Sequence, residues 1–317
     1  MKTMKWLIRR ELWEHKGMLV WTPAALAAVL AALIAVALAW GHNVIINGGT
    51  PYTVTEITVT AGGLAKMAAA ASLHYTTVAA PLFFLLSFLV FFYCLGALHD
   101  ERRDRSLLFW KSLPVSDGMT VLSKVALALV VAPLITIAVG IVLALLVLLM
   151  GCFTLLMHGV NMFGVFGMPE FYLGPLRLLA LLPVYMLWAL PTVGWLLLVS
   201  SWARSKVFLW AVGLPLAVGL LQIWATRMFG LDWDGSWFMH TIVVRILLSA
   251  VPGMWFLFQN VDPATLVAAA QSQHVDPAAM FGASWATLAS VDAWVGAAGG
   301  AAMIAAATWM RRRREEG

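Results

Sequence analysis

The sequence predicts an all-α integral membrane protein with six transmembrane helices and both termini cytoplasmic. Three observations predict it. The 317-residue chain is 62% hydrophobic and only 11% charged, against about 25% charged residues in soluble domains. Several uninterrupted apolar runs reach the roughly 20 residues a helix needs to cross the hydrocarbon core. The basic residues are also unevenly placed. With the N-terminus inside, the inside segments hold Lys2, Lys5, Arg9, Arg10, Lys16, Arg102, Arg103, Arg105, Lys111, Lys124, Arg204, Lys206 and Arg311 to Arg314. Only Lys66, Arg177, Arg227 and Arg245 fall outside or near the outer face, as the positive-inside rule expects. The apolar runs are continuous rather than alternating, which excludes a transmembrane barrel.

The elements follow in order. Residues 1–17 form a basic leader that reads as an interfacial helix. Met1, Met4, Ile8 and Leu12 fall on one stripe and Lys2, Lys5, Arg9 and Lys16 on another, with Leu7 apart and Glu11 bordering the apolar stripe. The first span, 18–40, is bracketed by Trp21 and Trp40, as aromatic belts require. At 23 residues from Met18 to Trp40 it exceeds the roughly 7–15 of a signal-peptide core, so it is expected to be retained. A turn cluster at Asn47–Pro51 and a separate helix around Leu64–Leu73 are expected before the second span, 77–98. The third, fourth and fifth spans are 119–150, 176–200 and 207–227. Residues 159–175 and 262–284 are expected to be outer loops. The sixth span is 288–310.

One further stretch, Thr241 to Phe258, is apolar for 18 residues. As a seventh span it would put Arg311 to Arg314 outside. Pro252-Gly253 also interrupts it, and both residues weaken a helix interior. It therefore reads as a broken or re-entrant helix within an outer segment, 228–287. Arg245 on it is expected to pair with Asp232 or Asp234, or to snorkel to the outer headgroups. Cys94 and Cys152 are placed near opposite faces, too far apart for a disulfide.

The chain lacks the motifs of several function classes. It has no Gly-x-x-x-x-Gly-Lys-Ser/Thr phosphate loop, no His-Glu-x-x-His, no Cys/His cluster and no Gly-x-Ser-x-Gly. The seven histidines are scattered, mostly at span ends. The spans carry almost no charge, and Gln222 is the main polar group inside them. Ion-driven transport, which buries ionisable residues at membrane depth, is not indicated. The net charge of +5 reports topology and is no nucleic-acid footprint.

Charge concentrates instead in the connection His99–Lys124, HDERRDRSLLFWKSLPVSDGMTVLSK. Glu101 to Ser112 can form about three helical turns. Leu107, Leu108, Phe109 and Trp110 supply an apolar tip among Arg102, Arg103, Asp104, Arg105 and Lys111. A short helix with an apolar tip and charged flanks suits insertion into a partner's groove. Pro114 ends it. Ser116 or Asp117 can cap the next helix.

These residues, above all Asp100-Glu101-Arg102, Ser106 to Asp117 and Lys124, resemble the permease subunits of ABC-2-type ABC transporters. The basic leader and the six-span layout are similar too. The resemblance implies a single transmembrane domain over 1–317, with 1–17 a connecting helix, 99–118 the coupling loop and re-entrant helices between spans five and six. It implies an ATP-driven exporter in a bacterial inner membrane. Two permeases, identical or paralogous, would pair with two separate ATP-binding subunits that hold ATP and magnesium. This chain would bind no cofactor or metal and would not be an enzyme by itself. Glu101, Arg102, Arg103, Asp104, Arg105, Leu107, Leu108, Phe109, Trp110 and Lys111 would then couple to the ATPase. The low charge of the spans suits an amphipathic or apolar cargo such as a lipid, peptide antibiotic or drug, with Phe84, Phe88, Phe91 and Gln222 as candidate pathway residues. A membrane sensor or immunity protein, and an intramembrane lipid-modifying enzyme, are the competing classes.

Overall fold

The computed structural model describes residues 2–40, 61–103, 116–157, 159, 161–229, 235–258 and 277–313. It is 92% helical, with no strand among the described residues. Six helical stretches are long and apolar enough to cross a membrane: Gly17–Ala39, Ser72–Arg103, Asp117–Met157, Phe171–Trp202, Leu209–Phe229 and Val291–Arg313. Each overlaps one of the six spans expected from the apolar runs.

Helix α1, Lys2–Glu14, precedes the first span. Its inward face is not the Met4/Ile8/Leu12 stripe expected from the sequence. Leu7 and Glu11, one turn apart, are the buried pair, and Met4, Ile8 and Leu12 are only half-buried. Trp6 and Trp13 point outward. The cause is electrostatic: Glu11 turns the helix toward a buried lysine, described below. Helix α2, Gly17–Ala39, opens with a π-helical turn at Gly17–Trp21 and has little of its surface buried.

Helix α3, Ala61–Ala97, runs unbroken through the region where a separate helix over Leu64–Leu73 was expected. The Ala-rich stretch 65–72 contains nothing that stops a helix, and even Pro81 is accommodated inside it. After one residue the chain resumes as α4, His99–Arg103. Helix α5, Asp117–Met157, is capped by Ser116, whose hydroxyl accepts from the Met119 N–H at 3.3 Å. The expected outer loop at 159–175 is largely helical. A 3₁₀ turn, Phe163–Gly167, leads into α6, Pro169–Ala180, and after Leu181 into α7, Leu182–Trp202. Prolines open both helices at their first turn, where a missing N–H costs nothing.

Helix α8, Leu209–Phe229, is peripheral. The apolar stretch 241–258 is broken where Pro252-Gly253 suggested. Helix α9, Met239–Leu248, ends, the chain turns over 249–254, and a short α10, Trp255–Phe258, follows. Gly253 adopts φ +90°, a conformation that favours glycine. Helix α11, Pro277–Ala286, occupies the end of the expected 262–284 loop. Helix α12, Val291–Arg313, completes the fold.

The core forms around α7. Trp188, Val193, Leu196 and Leu197 pack with Leu86, Val90 and Cys94 of α3 and with Val121, Leu127 and Ala128 of α5. The most extensive helix pair is α7 with α12. It depends on two glycines: a Cβ on Gly194 would collide with the Gly300 carbonyl, and one on Gly300 would lie 2.5 Å from the Leu190 carbonyl. Small residues let helix backbones approach closely where lipid offers no competing hydrophobic drive. Cys94 and Cys152 are both buried and unpaired.

Arg245 corrects an expectation. Asp232 and Asp234 lie outside the described residues, and the side chain does not reach outward. It is 7% exposed, donates to the Asp292 carbonyl oxygen and sits 4.9 Å above the Trp188 ring. Gly296 leaves the space its guanidinium fills. Thr192 on α7 donates to the Arg245 carbonyl at 3.2 Å. A cation over an indole face in a desolvated site gains about 2 kcal/mol.

Candidate functional site

The ends of four elements meet at one end of the bundle, the terminal face: α1, α4, the start of α5 and the end of α12. Each contributes a charged side chain. Lys124, 2% exposed on the second turn of α5, is the hub. Its Nζ donates to Glu11 Oε1 at 2.8 Å and lies 2.9 Å from Glu101 Oε1. Glu101 Oε2 accepts from Arg311 Nη1 at 2.6 Å. Arg311 Nε in turn donates to Asp117 Oδ1 at 3.0 Å. The second oxygen of Glu11 accepts from the Tyr93 hydroxyl at 3.1 Å, and the His15 ring stands edge-on to Tyr93.

The result is a chain of ion pairs, Glu11–Lys124–Glu101–Arg311–Asp117, buried except at its Asp117 end. It contains three carboxylates and two cations, a formal charge of −1. Desolvating such groups costs several kcal/mol per ion, so the arrangement persists because every charge has a partner. Lys124 and Asp117 share one face of α5, since seven residues is close to two helical turns. The connection that carries charge in the sequence thus leaves and re-enters the bundle through this ring, at Glu101 and at Asp117.

Ser200 and Arg102 complete the same face. The Ser200 hydroxyl accepts from the backbone N–H groups of Leu98 and His99, at 3.1 and 3.0 Å, where α3 gives way to α4. Arg102 donates to the carbonyls of Ser200 and Ala203 at 2.6 and 2.8 Å. These are carbonyls at the C-terminus of α7, left without helical partners and favoured by a cation. Arg313 stacks 4.1 Å over Trp309 at the edge of the face.

The expected coupling residues are therefore divided. Glu101 is buried in the ring, Arg102 reaches inward to α7, and Arg103 is exposed. Asp104, Arg105, Leu107, Leu108, Phe109, Trp110 and Lys111 lie outside the described residues. Sequence reasoning did not find the ring itself. Lys124 was read as a marker of topology and as part of the family resemblance, Arg311 as a marker of topology, and Glu11 as an imperfection in a stripe. One signal was present: of only 15 acidic residues in the chain, eight fall on the basic side, Glu11, Glu101 and Asp117 among them.

The four candidate pathway residues are not brought together. Phe84 and Phe88 pair edge to face on the exposed side of α3. Phe91 packs against Phe208 instead. Gln222 is on α8, half-buried. Phe84 lines a cavity to which the other three do not contribute. No group of three or more His, Cys, Asp or Glu side chains among the described residues is placed to hold a metal ion.

No protein-family model matches the chain, and no curated protein or solved structure matches it.

Proposed function

We propose that this chain is the membrane-spanning subunit of an ATP-driven exporter of the ABC-2 type, powered by a separate ATP-binding subunit that docks on the 99–118 connection. The observation that carries this reading is the ring at the base of that connection. A force applied between Glu101 and Asp117 is passed by ion pairs to α1 and to α12, and by Arg102 and Ser200 to α7. Three helices receive it at once. The chain contains no phosphate loop to generate such a force by itself.

In this reading the terminal face is cytoplasmic, which puts most Lys and Arg inside. Helix α1 lies in the inner headgroup layer with Trp6 and Trp13 outward, and α9 and α10 form a re-entrant pair on the far side. The membrane is the bacterial inner membrane. Two copies, or this chain and a paralogue, form the pathway for an amphipathic or apolar cargo.

The test is co-purification of the full chain with a co-expressed ATP-binding subunit, with Phe109→Ala/Trp110→Ala as the comparison. The double variant is expected to lose the complex and the stimulation of ATP hydrolysis. Complex and stimulation both unchanged would refute the docking site.

A further inference from the structure

Far from the ring, α3, α5, α6, α7, the 249–254 turn and α11 enclose a cavity of about 430 Å³, within the range of small-molecule sites. Its walls are apolar, with Phe83, Ile137, Leu178, Leu182, Trp255 and Phe256 among them. Phe84, 62% exposed, forms a lip, so the cavity opens on the lateral surface of α3.

The polar groups in the wall are few, and most are occupied. Ser284 accepts from Trp255 Nε1 at 3.1 Å and donates to the Met280 carbonyl at 2.8 Å. Arg177 is different. It stands six residues after Phe171, where the apolar stretch Phe171–Trp202 begins. Among the described residues no carboxylate comes within ion-pair distance of it, and its one side-chain hydrogen bond is a long contact of 3.4 Å to Ser72 Oγ. Four of its five N–H donors are left over. A second wall residue, Tyr185, has a buried hydroxyl without a hydrogen-bond partner among the described residues. A guanidinium facing an apolar cavity is costly unless something neutralises it. An apolar chamber with one such cation in its wall is complementary to a molecule that is apolar along its length and anionic at one end.

We propose that this cavity binds a single-chain anionic amphiphile, with its carboxylate or phosphate on Arg177 and its hydrocarbon chain against Phe83, Ile137, Leu178 and Trp255. The binding belongs to this chain alone and does not depend on an ATP-binding partner.

The experiment uses the full chain in phosphatidylcholine nanodiscs and three diazirine-bearing C16 probes: a fatty acid, an alkyl phosphate and an alcohol. Labelled peptides are mapped by mass spectrometry. Peptides from 72–86, 174–185 and 251–256 are expected to carry at least one of the anions about tenfold more than the alcohol, the advantage of a charge-assisted hydrogen bond. The anion that labels identifies the headgroup, carboxylate or phosphate, and either upholds the proposal. Arg177→Gln is expected to reduce anion labelling to the alcohol's level, and Arg177→Lys to keep most of it. Ala80→Trp, which fills the chamber from α3, is expected to abolish cavity labelling by all three probes. Equal labelling by the alcohol, anion labelling unchanged in Arg177→Gln, or cavity labelling unchanged in Ala80→Trp would overturn the proposal. If Arg177→Gln does not elute as the native species, the Ala80→Trp and alcohol comparisons decide.

Discussion

Glu101 and Arg311 are separated by 210 residues of chain and meet at 2.6 Å. Their contact fastens the end of the last helix to the point where the charged connection leaves the bundle. Both side chains are buried, so neither can lose its partner to water. Arg311→Met is expected to destabilise the protein by up to about 3–5 kcal/mol, the upper end of what breaking a buried pair costs, because Glu101 keeps Lys124 while Asp117 loses its cation. Combined with Glu101→Gln, the loss is expected to be smaller than the sum of the singles by about 0.5–3 kcal/mol. Reversible unfolding in detergent micelles measures both, and simple additivity would show that the two residues are not coupled.

Lys124 separates two carboxylates, Glu11 and Glu101. Lys124→Met leaves both without it and is expected to be the most damaging single change in the ring. Glu11→Gln is milder, because it removes charge from a set that already has one carboxylate in excess. Its effect is expected to be local: α1 loosens, and hydrogen exchange over 2–14 quickens while the core amides keep their protection. Uniform acceleration throughout the chain would contradict this.

The Ser200 and Arg102 contacts seal the junction of α3, α4 and α7. Ser200→Ala orphans the Leu98 and His99 amides. Its expected cost is about 1–3 kcal/mol, the penalty for an unsatisfied buried group. Arg102→Ala is expected to increase exchange at the C-terminus of α7, readable by mass spectrometry on peptides covering 196–203.

The α7–α12 contact gives a paired comparison. Gly300→Val drives a side chain into the Leu190 backbone, whereas a Cβ at the adjacent Gly299 meets nothing within 4 Å. Gly300→Val is expected to cost at least about 1–3 kcal/mol, as overpacking does. Gly299→Val is expected to leave the thermal midpoint nearly unchanged.

Much of the helical layout was legible in the sequence, because run length and charge asymmetry are local properties. The break in 241–258 was legible as well, since Pro252-Gly253 announces it. The inward face of α1 was not. Periodicity ranks Leu7 and Glu11 by their neighbours along the helix, while the structure ranks them by Lys124, 113 residues away for Glu11. The inward contacts of Arg245 were not legible for the same reason: Trp188 and Asp292 belong to other helices. Only part of the candidate site could be read. Glu101 was singled out for an outward contact, and pairing across the fold turned it inward.

The two glycines that bring α7 against α12 have a mechanical consequence. Helices joined backbone to backbone cannot slide past one another without prising that contact apart, so they move as one stiff member. At one end of this member is Arg311, held in the ionic ring. Toward the other is Tyr185, in the wall of the apolar chamber. In the proposed transport cycle, a tilt imposed at the ring is carried to the chamber by these two helices together, held by the Gly194–Gly300 crossing.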